Sequence, residues 1–324
     1  MSRLRVGQAG LGYWGRNLAR NFDDLTDLRW LCDASEERRA EFAERYPDAR
    51  VTGDFDEMIS SGDLDAVVIA TPVPTHYPLA RSALAAGLHV FVEKPPAMRA
   101  AEMEDLIGLA EAGGLVLMPG HLLLYHPAVQ KLKDLVDEGV LGQVFYLYGN
   151  RQNLGIVRTN ENALWSLGVH DLSVILYLLD EDPETATAQG RDFLTPGVED
   201  VVFCYLRFPS RKIAHMHLSW LDPHKMRRMT VVGREKMAVF DDMELERKVT
   251  VYEKSPWKRA ETYGEWMTRS GDIYIPKIPT DEPLKLECQE FLDLIAGKGD
   301  RVKVAEDGAR VVRALERLTN SLHG

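Results

Sequence analysis

The sequence predicts two structural classes in one chain. The N-terminal part reads as an α/β domain with a doubly wound parallel sheet, and the C-terminal part as an α+β domain on a large, mostly antiparallel, open sheet. Three observations carry this expectation. Strand-like and helix-like segments alternate as far as His121, a glycine-rich turn joins the first strand to the first helix, and beyond His121 short alternating runs separated by turn residues take over.

The first strand is the apolar run 4–9. Gly10-x-Gly12-x-x-Gly15 follows it and opens a helix over 14–21. The three glycines serve different ends. Gly10 permits the tight turn, Gly12 lets a pyrophosphate approach bare backbone, and Gly15 lets the helix pack close with its N-terminal amides facing the phosphates. The next apolar run, 28–32, ends at Asp33, about eighteen residues beyond Gly15, where a ribose-binding carboxylate belongs. A dinucleotide is therefore expected on Gly10, Leu11, Gly12, Tyr13, Trp14, Gly15 and Asp33. The Asp33 carboxylate suits the ribose hydroxyls of NAD and repels the 2′-phosphate of NADP. Arg38 and Arg39 are expected on the solvent face of the next helix.

The run 66–70 is short and continuously apolar, as expected of a strand covered on both faces. Thr71-Pro72-Val73-Pro74-Thr75 breaks it, and 77–86 reads as a helix ended by Gly87. A buried strand at 89–92 stops at Glu93-Lys94-Pro95-Pro96. A helix over 100–112, ended by Gly113-Gly114, and a strand over 115–118 complete a Rossmann-type domain expected to span 1–121. Residues 122–324 form the expected second domain. It begins with a helix over 127–138, a strand over 143–149 and a helix over 163–179. Several strands follow between 185 and 252. The stretch 253–283, rich in proline and aromatics without periodicity, reads as a long ordered loop or lid. Helices over 284–296 and 306–322 close the chain and are expected to pack back on the first domain.

Composition narrows the function. The chain has 324 residues, 45% hydrophobic and 27% charged, which is ordinary for a folded protein. A net charge of -11 argues against nucleic acid or an anionic membrane as a partner. No apolar run approaches membrane-spanning length, and nothing before the first strand resembles a signal peptide. The three dispersed cysteines, Cys32, Cys204 and Cys288, fit reduced thiols in a cytoplasmic protein. His215 and His217 share a strand face, but no third ligand has suitable spacing, so no metal is expected.

Four motifs together resemble the Gfo/Idh/MocA oxidoreductases: Gly10-x-Gly12-x-x-Gly15, Ala70-Thr71-Pro72 with Thr75-His76, Glu93-Lys94-Pro95, and Gly168-x-His170-Asp171. The segments 163–174 and 219–225 look like the branch that acts on nucleotide-linked sugars. The resemblance implies hydride transfer between NAD and a sugar or cyclitol carbon, with the substrate on the open sheet of the second domain and oligomers, dimers or tetramers, formed through that sheet. It also implies cofactor contacts from Thr71, Pro72, Thr75, His76, Glu93 and Lys94. One position departs from the pattern: Ser166 stands where the family commonly has an aspartate, and a serine takes up no proton near neutral pH.

Oxidising a carbinol needs a group that accepts the hydroxyl proton and a donor for the developing carbonyl oxygen. Lys94, at the carboxyl end of a parallel strand, and His170, whose imidazole exchanges a proton near neutrality, are the expected catalytic pair. Ser166 and His170 are expected on one face of a single helix. His121, Tyr125, Arg151, Asn153, Ser166 and His170 are expected to contact the substrate, with Arg151 able to grip a pyrophosphate in bidentate fashion. Two rival readings share the scaffold: an NAD-dependent hydrolase working by transient oxidation and elimination, and a non-catalytic sensor of NAD or sugar.

Overall fold

The computed structural model describes residues 3–159, 161–258 and 266–323. By internal packing the chain falls into two compact units, one of residues 1–125 with 281–313, the other of 126–280 with 314–324.

The first unit carries a wholly parallel sheet in the order β3-β2-β1-β4-β5-β6, formed by β1 (Arg5–Ala9), β2 (Asp27–Cys32), β3 (Arg50–Thr52), β4 (Ala66–Ile69), β5 (His89–Glu93) and β6 (Leu117–Gly120). All four residues of β4 are buried, because α/β crossovers cover both faces of such a sheet. The crossover helices are α1 (Gly15–Leu25), α2 (Glu36–Arg45), α3 (Phe55–Ile59), α4 (His76–Ala85) and α5 (Ala100–Gly113). Their ends follow local chemistry. Asp54 accepts from the amides of Asp56 and Glu57 to start α3, and Gly114, at φ +66°, ends α5 in the left-handed conformation that glycine adopts freely. Strand order reverses at β1 and β4, so their carboxyl ends, at Gly10 and Ala70, flank the crevice where ligands bind in such sheets.

The second unit is built on an eight-stranded sheet. α6 (Pro127–Asp137) leads in, with the His126 ring accepting from the Ala128 amide as its cap. β7 (Val144–Gln152) precedes a π-helical turn at Leu164–Gly168, which runs into α7 (Val169–Leu179). β8 (Thr185–Arg191), β9 (Val201–Arg207), β10 (Ile213–Ser219), β11 (Met226–Gly233), β12 (Met237–Asp241), β13 (Val249–Lys258) and β14 (Trp266–Tyr274) complete the order β14-β13-β12-β11-β7-β10-β9-β8. Only β7 and β10 pair in parallel among these neighbours. In β9, buried Val202, Cys204 and Leu206 alternate with exposed Phe203, Tyr205 and Arg207, so one face is core and the other open.

The reading of 253–283 as a loop or lid is corrected. β13 runs on to Lys258, and β14 pairs with it from Trp266 to Tyr274; residues 259–265 lie outside the described residues. Most of β14 is exposed, so neither strand end shows the alternation that marks a half-buried strand. Pro256 is tolerated there because β12 pairs with β13 only between Val249 and Tyr252, leaving no second partner for the missing N–H.

α8 (Pro283–Ile295) belongs to the first unit, and α9 (Arg301–His323) is divided between the two at Arg313 and Ala314. Phe291 of α8 meets Phe22 and Phe91 edge-on, with ring centroids 6.2 and 5.8 Å away. No helix among the described residues is long and apolar enough to cross a membrane.

Candidate active site

The glycine turn of the first unit separates structural from exposed positions. Gly10 has φ +92°, and a Cβ there would lie 2.3 Å from the Ala70 carbonyl oxygen. A Cβ on Gly15 would lie 2.1 Å from the Gly10 oxygen, so only glycine fits at either site. At Gly12 a Cβ would meet nothing closer than the Arg38 guanidinium, 3.7 Å away. That bare backbone lies directly before α1, whose first turn holds no acidic side chain to neutralise its positive end. These residues fit a dinucleotide pyrophosphate. Tyr13 is almost fully exposed, whereas the Leu11 side chain is core.

Asp33, at the end of β2, is held by two amides at 2.8 Å: Leu11 N donates to Oδ2 and Ser35 N to Oδ1. Its remaining lone pairs suit ribose hydroxyls. Arg38 is exposed, as expected, whereas Arg39 is half-buried, and both reach back to this residue. Arg38 Nη1 lies 3.6 Å from Asp33 Oδ2, and Arg39 Nη1 donates to the Asp33 and Ala34 carbonyls at 2.7 and 2.9 Å.

The loop after β4 is tied internally. Thr71 and Thr75 share a hydroxyl–hydroxyl bond of 2.6 Å, and Thr75 also donates to the Pro72 carbonyl at 2.7 Å. His76, expected at the cofactor, is 1% exposed, with its ring nitrogens 2.8 Å from the Pro95 carbonyl and 2.7 Å from that of Thr71. Its ring thus bridges the Thr71 loop to the chain just after Lys94.

Glu93 and Lys94 end β5. The Glu93 carboxyl is buried and accepts from the Trp14 indole and, at 3.1 Å, from the Lys94 amide. Burial pushes it up to about 7, against the pull of the Lys94 ammonium. His121, also buried, has no hydrogen-bond partner for either ring nitrogen among the described residues. Burial, helped by the Lys94 charge, pushes its imidazole down to about 4, so it is neutral at physiological pH. Tyr125 ends the short 3-10 turn Leu122–Tyr125 and packs against the aromatic core.

The second unit holds His170 and its surroundings. His170 is half-buried in the first turn of α7, and Ser166, buried, lies in the π turn before it. That turn interrupts the expected α-helical winding but not the helix, and positions four apart, such as Ser166 and His170, still fall on nearly the same side of it. Arg151, expected to face a pyrophosphate, is 6% exposed and lies within β7, with Nε and Nη2 donating to Asp171 Oδ1 at 2.9 and 2.7 Å. Burial lifts the Asp171 carboxyl above its ordinary range against the pull of that guanidinium. Asn153 follows β7, and its amide donates to the Ser219 carbonyl at 3.0 Å. Arg227 and Arg228 pair with Asp242 and Asp241 at 3.4 Å each.

Two features escaped sequence reasoning. The Arg151–Asp171 pair joins residues twenty positions apart, with no local signal. Glu287 is wholly buried on α8 between Leu284, Cys288 and Phe291, so a carboxyl within an otherwise apolar helical stripe was the available sign.

The comparisons with known proteins agree with this geometry. A family model described as "Oxidoreductase family, NAD-binding Rossmann fold" matches residues 4–121, and one described as "GFO/IDH/MocA C-terminal domain" matches 129–239. The UDP-N-acetylglucosamine 3-dehydrogenase of Acidithiobacillus ferrooxidans is 29% identical over 74% of this chain and 75% of its own. A solved structure of that enzyme superposes with a TM-score of 0.84 over 99% of this chain and 98% of the other, at 26% identity. A dTDP-3,4-didehydro-2,6-dideoxy-alpha-D-glucose 3-reductase of Streptomyces violaceoruber is 43% identical over 54% of this chain and 53% of its own.

Proposed function

Because this chain belongs to the Gfo/Idh/MocA oxidoreductase family, we propose that it is an NAD-dependent dehydrogenase or reductase of a secondary alcohol on a sugar, with nucleotide-linked sugars as the substrate class. The observation that carries this reading is the bare backbone of Gly12 before α1, with Asp33 at the end of β2, in the same unit as Lys94. The nucleotide-sugar enzymes among the relatives support the choice of substrate.

Bound NAD supplies the hydride acceptor, and the protein's residues do the rest. Gly12 and the α1 amides hold the pyrophosphate, and Asp33 accepts from ribose hydroxyls. Lys94 donates to the reacting oxygen, and His170 takes the hydroxyl proton. Neutral His121, whose ring nitrogens have no partner among the described residues, serves as a polar contact near Lys94. The open face of the eight-stranded sheet carries exposed Phe203 and Tyr205, with His217 stacked on Phe203 at 4.4 Å and His215 on Tyr148 at 5.0 Å. Such an aromatic face suits a homo-oligomer contact. The protein acts in the cytoplasm, where its three buried cysteines stay reduced.

The test is a panel of UDP- and dTDP-sugars, free sugars and cyclitols incubated with the protein and NAD or NADP, following formation of reduced cofactor. NADH formation with a nucleotide-linked sugar supports the reading. Turnover of free sugars or cyclitols alone removes the proposed substrate class, and glycoside cleavage without net NADH favours the hydrolase. Equal or better turnover with NADP contradicts the role of Asp33.

A further inference from the structure

Glu287 is a buried acid that the chemistry above does not use. Its side chain has no exposure, and neither carboxyl oxygen has a hydrogen-bond partner among the described residues. It sits in the stripe Leu284, Cys288, Phe291 and Leu294, all buried, where leucine would pack without desolvating a carboxyl. Phe291, one turn further along α8, meets Phe91 at 5.8 Å, and Glu93 lies two residues beyond Phe91 on the same face of β5. Burial lifts the Glu287 carboxyl above its ordinary range, and the Glu93 charge lifts it further.

The two carboxyls are unequally provided for. Glu93 has the Trp14 indole N–H, the Lys94 amide and the Lys94 ammonium. Glu287 has no donor among the described residues. α8 packs on α1 and on the turn Leu122–Tyr125. On α1, Arg16 pairs with Glu41, Arg20 with Glu282 and Asp24 with Lys285, while burial lifts the Asp23 carboxyl. Burial also pushes up the Cys288 thiol and the Glu290 carboxyl on α8 itself, and the turn contributes the Tyr125 phenol. None of these groups donates a hydrogen bond to Glu287. Two neighbouring buried carboxyls do not both ionise, and the proton remains on the one without donors.

We propose that Glu287 is a positioning residue that keeps its proton while Glu93 gives up its own, so that on the alkaline side of neutrality Glu93 alone is ionised and Lys94 faces one counter-charge. This rests on the reading of Lys94 as the group that meets the reacting oxygen. A second anion would hold the ammonium tighter and make it a poorer proton donor. A leucine would leave Glu93 in a drier setting and move its ionisation to higher pH.

Infrared titration of the full-length protein tests this without recourse to turnover. Above the Glu93 transition, at about pH 9, the wild type keeps a protonated-carboxyl C=O band that Glu287→Gln abolishes and Glu93→Gln retains. The band that vanishes near neutral pH is missing from Glu93→Gln and unmoved in Glu287→Gln, while Glu287→Leu shifts its midpoint upward by roughly one pH unit. If Glu287→Leu does not fold, the two glutamine variants carry the test. Loss of the persistent band from the wild type at that pH, or its survival in Glu287→Gln, overturns the proposal. Unaltered turnover of Lys94→Ala would instead remove the role of Lys94 and leave the band assignments intact.

Discussion

The Trp14 indole donates its N–H to the buried carboxylate of Glu93, joining the residue that opens α1 to the residue that precedes Lys94. The cofactor loop and the reactive lysine are thus linked by one hydrogen bond, in a setting where burial makes the acceptor's charge costly.

Replacing Trp14 with phenylalanine keeps an aromatic ring and deletes the donor. Stability at about pH 8 should fall by about 1.5–3 kcal/mol, the usual worth of a hydrogen bond to a charged group. The loss should shrink at low pH, where Glu93 is protonated. Urea denaturation of both proteins at the two pH values checks this.

Glu93 also sets a pH dependence. Its folded-state value, raised from 4.5 to about 7, lies above that of the unfolded chain. Its contribution is therefore fully present below about pH 4.5 and is lost as pH rises through about 7. The full loss is on the order of 3 kcal/mol. Glu93→Gln, which has no proton to lose, should flatten this part of the stability curve. Parallel curves for the two proteins would show that Glu93 titrates normally.

The glycines should separate folding from binding. Gly10→Ala places a Cβ 2.3 Å from the Ala70 carbonyl at φ +92° and should lower the melting temperature sharply. Gly12→Ala meets only open space and Arg38, so it should melt normally yet bind NADH about tenfold more weakly, a loss of about 1.4 kcal/mol. Differential scanning calorimetry and NADH fluorescence titration distinguish the two outcomes.

The Arg151–Asp171 pair makes the opposite kind of prediction. Arg151→Met strands a buried carboxylate and should cost about 3–5 kcal/mol, whereas Arg151→Met with Asp171→Leu removes both charges and should recover most of that. Denaturant midpoints for the single and double variants decide it. An unaffected single variant would mean the pair is not desolvated as its burial indicates.

What the sequence disclosed follows from the range of each interaction. The run 66–70 and the turn Gly10 to Gly15 announce themselves locally, because buried parallel strands are continuously apolar and only glycine fits against the Ala70 carbonyl. The alternation of β9 reveals a half-open sheet for the same reason. β14 is exposed along nearly its whole length, so no periodicity betrays it. Arg151 reads as a free cation until its partner across the fold is known, and the π turn at Leu164–Gly168 leaves no mark in composition. Glu287 was visible as a misfit on an apolar face, but its meaning depends on Glu93, far away in the chain.

Proton handling by Lys94 and His170 is what the proposed chemistry stands on, and steady-state turnover combined with NADH titration of Lys94→Ala and His170→Ala decides it. Each substitution should lower turnover roughly a hundredfold or more while NADH affinity changes little. Wild-type turnover in both variants would contradict the assignment.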